Sequence, residues 1–390
     1  MSLANLATYG MSAERGFLCE FDADKVELRG ALAEVSGVAM RLPEILPTGA
    51  VRAVLEALPV LHPESIAALN EAQARVMMVH YSFLVQSYIW GAHEPVSFLP
   101  ASLAVPIVAL ADRLGQQPLL QYSGYVLDNW AMLDPAKGVS LDNITMIQKF
   151  AGGMDEAWFV LVHVAIEAAA GEALALFGPL IAAAESGDAE TARSHLERIV
   201  TTWTGIHAIF GRMPEQCDPY VYFQRVRPYI HGWKDNPALG DGVVYQGIAR
   251  FGGMPQAFRG QTGSQSSIVP SMDALLGVGH AADPLRAYLD ELHIYRPPAH
   301  RRFIDDVRAQ SRLRAFVARE GHRGLTEAYN GAVQAVADFR TLHLEYAASY
   351  IHKQGRGSAG NDTDIGTGGT PFMRYLKKHR DETSANLLHV

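Results

Sequence analysis

Cysteine is almost absent from this chain: Cys19 and Cys217 are the only two in 390 residues. That excludes a disulfide framework, a CxxC redox pair and a thiolate zinc site, and it suits a reducing cytosol. Charge is also scarce. Charged residues make up 19% against 48% apolar, below the roughly 25% charge usual in soluble domains. Much of the chain must therefore be buried, and its length allows two or three domains, or one with an extension. The net charge of −8 and a pI near 6.0 give no reason to expect nucleic acid or an anionic membrane as partner. The basic runs at 301–303 and 377–380 read as solvated faces.

Several catalytic signatures are missing as well. There is no HExxH helix and no G-x-S-x-G elbow. GTGGT at 366–370 lacks the GK[ST] ending and the preceding strand of a phosphate loop. The N-terminus has no basic segment followed by an apolar one, so no signal peptide is expected and the location is read as cytoplasmic. The most apolar run, 157–184, is interrupted by His163, Glu167 and Glu172. Those polar residues favour a buried core helix over a membrane span.

What is present is mostly helical period, and the fold class expected is all-α. Helices are predicted over 63–94, 104–114, 155–184, 187–212, 219–229, 271–293, 299–320 and 323–352. The stretch 233–267 reads as irregular, with a short strand at 243–246. Turn signals at Asp134-Pro135 and Gly138 suggest a domain boundary near 140–150, dividing the chain into 1–145 and 146–390.

The last of these helices carries an anomaly. Leu325, Tyr329, Ala332, Val336, Phe339, His343, Tyr346 and Tyr350 recur at steps of three and four, one apolar face. An imidazole on such a face must find a hydrogen-bond partner or ligate a metal, and taken alone the first reading is the commoner. Phe159, His163, Ile166 and Ala170 form a second apolar face bearing one histidine. Two such helices are what a haem held between helices requires: a neutral imidazole on one side, an apolar slot, and a controlled polar group on the other.

Longer motifs carry a family resemblance. They are QYSGYVLDNW (121–130), RPYIHGWKDNPALGDGVVYQG (227–247), FRGQTGSQSS (258–267), DALLGVG (273–279), YRPPAHRRFI (295–304), RTLHLEYAASYI (340–351) and GTGGTPFMRYLKKHRDET (366–383). In this order they resemble the indoleamine 2,3-dioxygenases over roughly 115–383. The resemblance implies a haem b enzyme that opens the indole ring of L-tryptophan with O2 to give N-formylkynurenine. It implies a large all-α haem domain capped by a smaller N-terminal one, an electron donor that keeps the haem ferrous, and a monomer.

By the same resemblance His343 is the proximal iron ligand and Arg227 grips the substrate carboxylate. Thr367 closes on the amino-acid end, and Phe159 lies against the indole. Tyr122 and Thr262 belong to the substrate-binding set. His163 stands where mammalian members have serine; a distal histidine is a feature of the sister tryptophan 2,3-dioxygenases. Tyr222 stands where a phenylalanine packs on substrate, whereas helical period favours Phe223, four before Arg227; both stay candidates. His163 and Arg227 are thus the expected catalytic residues. Two rivals accompany this reading: an enzyme acting on another indole in a biosynthetic pathway, and a sensor with both imidazoles on iron.

Overall fold

The structure, a computed structural model, describes residues 3–354, 364, 366–369 and 372–389. The longer helices are α1 (Ala31–Met40), α2 (Glu71–Trp90), α3 (Ala101–Leu114), α4 (Met154–Leu174), α5 (Phe177–Ser186) and α6 (Ala189–Gly211). They continue as α7 (Ile268–Leu276), α8 (Pro284–His293), α9 (Pro298–Gln310), α10 (Leu313–Glu320), α11 (Arg323–Ala347) and α12 (Phe372–Ser384). Strands are confined to two short pairs among the described residues. β1 (Phe98–Leu99) runs parallel to β4 (Val244–Tyr245), and β2 (Trp130–Met132) pairs antiparallel with β3 (Ile144–Met146). The fold is all-α.

Helix boundaries have local causes. Asn70 caps α2 through a reciprocal box with Gln73, so the stretch 63–94 is a short turn followed by a helix rather than one helix. The run 155–184 also divides. Pro179 has no N–H, and its ring would collide with the carbonyl four residues back at Ala175, so the chain restarts as α5. Asp188 caps α6 by accepting from Thr191 N at 3.0 Å. Gly277, at φ +67°, ends α7, and Asp283 with Pro284 starts α8, so 271–293 is again two helices. Residues 299–320 likewise divide between α9 and α10.

Four helices define the functional half. α6 packs on α4 and, on its other side, along α11; α12 covers α11. The long apolar α4 is buried by protein on most sides, with Val160, Val162 and Val164 fully enclosed. The N-terminal segment lies on it where only glycine permits: a Cβ on Gly171 would sit 2.3 Å from the Ala13 carbonyl oxygen, and one on Gly16 2.0 Å from that of Glu167. Residues 1–145 touch the rest through polar bonds as well, Tyr9 to Asp306 and Tyr122 to Glu167.

Candidate active site

The apolar stripe of α11 changes character along its length. Leu325, Tyr329, Ala332 and Val336 are wholly buried, while Phe339, His343 and Tyr346 are half-buried because they open onto a cavity. His163 on α4 opens onto the same space from the opposite wall. Between them the C-terminal end of α6 contributes Phe210, whose ring centroid lies 6.3 Å from each imidazole and 4.8 Å from Phe339.

The space has two adjoining lobes. The larger, about 610 Å³, runs from the imidazoles past Ile166, Val269 and Phe339 to a polar rim with Arg286, Arg296 and Arg340. The smaller, about 130 Å³, lies toward Phe159, Tyr222, Thr262 and Thr367. The larger volume is in the usual range of roughly 300–1,000 Å³ for ligand and cofactor sites.

Both imidazoles are held neutral. Burial, then the proximity of His163 and Arg340, pulls His343 down to about 4. Burial also lowers His163. His163 Nδ1 lies 2.7 Å from the Phe159 carbonyl oxygen. A carbonyl only accepts, so the proton is on Nδ1 and Nε2 keeps a lone pair. His343 makes no hydrogen bond to any described residue, which leaves its lone pair available too. Two neutral nitrogens, an apolar slot and a basic rim fit an iron porphyrin.

Around His163 the wall is aromatic. Phe159 lies 4.7 Å from it and 4.7 Å from Tyr222, which in turn meets Tyr350 edge-on at 5.8 Å. These contacts depend on π-helical turns at Ser123–Leu127, Tyr222–Val226 and Ala348–His352. Such turns recur at functional sites because they re-aim side chains. The turn at 222–226 has a specific effect. Phe223 and Arg227 share a face, as period suggested, with the guanidinium 5.4 Å from the ring. That face looks away from the cavity: neither residue lines it, and both are wholly buried. Tyr222 lines it instead.

Thr367 lines the smaller lobe and donates to the Gln261 carbonyl at 2.6 Å. Its loop is fastened at Gly368, whose carbonyl accepts from Arg259 at 2.7 Å. The 258–265 motif supporting it crosses 231–233 at Gly260 and Gly232, so closely that a Cβ on either would lie 2.0–2.2 Å from the other's amide nitrogen. Most of the glycine-rich stretch 353–370 that carries Thr367, whose closing on the amino-acid end the resemblance implies, lies outside the described residues.

Tyr122 reaches the larger lobe and reveals a partner that sequence reading passed over. Its hydroxyl donates to Glu167 at 2.8 Å, as does Ser266 at 2.7 Å. Glu167 stands one turn beyond His163 on α4, and its other oxygen has no partner. Burial lifts this carboxyl to about 7. Its sequence signals were the break it makes in the apolar run and its i, i+4 spacing to His163. Phe210 had none beyond lying on an amphipathic helix.

Comparison with known proteins fits this cavity. The family model for indoleamine 2,3-dioxygenase matches residues 5–386, well beyond the 115–383 over which motifs are legible. Indoleamine 2,3-dioxygenase 1 of Rattus norvegicus is 32% identical over 364 residues, covering 90% of this chain and 88% of its own. The Saccharomyces cerevisiae indoleamine 2,3-dioxygenase is 31% identical, over 88% of this chain and 85% of its own length. One from Aspergillus candidus is 32% identical over 86% of each. With two neutral imidazoles facing a cavity of cofactor size and a match along nearly its whole length, the chain belongs to the indoleamine 2,3-dioxygenase family and is a haem-dependent dioxygenase of indoles.

Proposed function

We propose that the protein opens the indole ring of L-tryptophan with O2 to give N-formylkynurenine, with haem b held through His343. The observation that carries this is the committed tautomer of His163, whose Nδ1 proton is spent on Phe159 O at 2.7 Å. An Nε2 lone pair facing the cavity suits the N–H of an indole, and a neutral imidazole is the right partner.

Each residue then has a task. His343 offers the lone pair that takes the iron, and His163 Nε2 accepts the indole N–H. Phe159 and Tyr222 flank the ring with their faces and exclude water. Thr262 and Thr367 lie where the amino-acid end of substrate would rest. Arg227 grips the carboxylate bidentately, which requires its buried guanidinium to turn from Phe223 toward the smaller lobe when substrate enters. Haem supplies the activation of dioxygen, and the chain supplies orientation. An external electron donor keeps the iron ferrous.

The test is turnover of reduced, haem-loaded protein with L-tryptophan under labelled dioxygen. N-formylkynurenine carrying both labelled oxygen atoms is expected. Absence of that product, with turnover of a ring-substituted indole, would overturn the choice of substrate. The hydroxyl of Tyr222 on the pocket wall is the feature that favours such a substituted indole as the second reading.

A further inference from the structure

A second group of metal-ligating side chains lies apart from the His163–His343 pair, where the turn after α7 meets α12. It consists of His280, His379 and Glu382, and one donor atom from each lies within 4.8 Å of the other two. His379 and Glu382 are three apart on α12 and so share a face. His280 reaches them from the turn that Gly277 begins.

The hydrogen bonds order this group. His280 Nε2 lies 3.2 Å from Asp273 Oδ2, and Asp273 is itself clamped by Arg340 at 2.6 Å. His280 Nδ1 lies 2.7 Å from Glu382 Oε2. The other oxygen of Glu382 is engaged separately, by Ala281 N at 3.3 Å and Lys378 at 3.4 Å. His379 is the unexplained member. It is 9% exposed, its ring lies 5.1 Å from that of His280, and its Nε2 has no partner among the described residues. A buried imidazole nitrogen left unanswered calls for a ligand.

We propose that His280 Nδ1, His379 Nε2 and Glu382 Oε2 bind a divalent transition metal of the zinc type. Two imidazoles and a carboxylate are a zinc ligand set, whereas magnesium and calcium take oxygen. The metal replaces the proton between His280 Nδ1 and Glu382. The Nε2–H to Asp273 bond then becomes the outer carboxylate contact that orients a metal-bound histidine. Water takes the fourth position. At the ligand spacing of a tetrahedral site, about 3.3 Å, His280 Nδ1 and Glu382 Oε2 part slightly from 2.7 Å while His379 Nε2 closes in from within 4.8 Å. The bound ion fastens α12 to the turn at 277–283, and so holds the C-terminal helix against the larger lobe, which His280 and His379 also line.

The experiment uses haem-loaded protein, so that zinc does not compete for His163 and His343. After equilibration with buffered zinc and gel filtration, elemental mass spectrometry counts zinc per chain while iron is counted alongside. The expected result is one zinc per chain, a zinc-dependent rise in thermal midpoint and proton release on binding. Glu382→Gln and His379→Val are expected to weaken zinc at least about tenfold. Zinc-edge absorption should show two imidazole nitrogens. The proposal is overturned if folded wild-type protein retains no zinc, or if both variants retain it as wild type does. Should His379→Val fail to fold, the partly exposed Glu382→Gln decides alone.

Discussion

His163 Nδ1 sits 2.7 Å from the carbonyl oxygen of Phe159, one turn earlier on the same helix. That bond fixes which nitrogen carries the proton and aims the other's lone pair at the cavity. Burial keeps the ring neutral near pH 7. Replacing His163 with alanine should lower kcat/KM for L-tryptophan by about tenfold or more. The same change should matter far less for an N-methylated tryptophan, which has no indole N–H to donate. Equal losses on both substrates would show that His163 does not accept that proton.

Arg227 supplies a stricter test because its guanidinium is packed over Phe223 at 5.4 Å and lines neither lobe. Arg227→Ala is expected to raise the Michaelis constant for L-tryptophan by about tenfold or more, as loss of a charged hydrogen-bond partner should. Arg227→Lys should recover little of it. An unchanged Michaelis constant in the alanine variant would remove Arg227 from the substrate site and leave it a core residue.

Glu167 gives a pH signature. Its carboxyl is lifted by burial from 4.5 to about 7, so the folded protein holds the proton more tightly than the unfolded chain. Stability is then unaffected below about pH 4.5, falls as pH rises to about 7, and levels off beyond. Glu167→Gln removes this fall. The thermal midpoints of wild type and variant should separate progressively across that window; parallel curves would show that Glu167 is already ionised at low pH.

Gly171 sets two effects against each other. Alanine is worth about 1 kcal/mol over glycine inside a helix, but its Cβ would lie 2.3 Å from Ala13 O. A backbone clash of that kind costs about 1–3 kcal/mol or more. Gly171→Ala should therefore lower the thermal midpoint. A rise would mean that the N-terminal segment yields without cost.

The stripe from Leu325 to Tyr350 was legible from spacing alone, because helical period and burial coincide along α11. Its function was not. A cavity-facing imidazole and a satisfied core histidine have the same pattern, and only the long motifs separated them. Breaks inside apolar runs escaped period as well. Ala175 ends α4 because of Pro179, a clash across four residues that hydrophobicity does not register. Tyr222 and Phe223 could not be separated because a π-turn shifts the face by one residue. Glu167 was legible only as a break in an apolar run, and Phe210 not at all, because their importance lies in partners 45 or more residues away, Tyr122 for the first and His343 for the second.

The central claim is that iron is held from the α11 side of the cavity and substrate met from the α4 side. The most direct measurement is haem per chain, read from the absorption spectrum, in purified His343→Ala and His163→Ala variants. His343→Ala is expected to retain little haem, and His163→Ala to retain it with a spectrum that still responds to L-tryptophan. Haem retained by His343→Ala and lost from His163→Ala would contradict the assignment of the two faces.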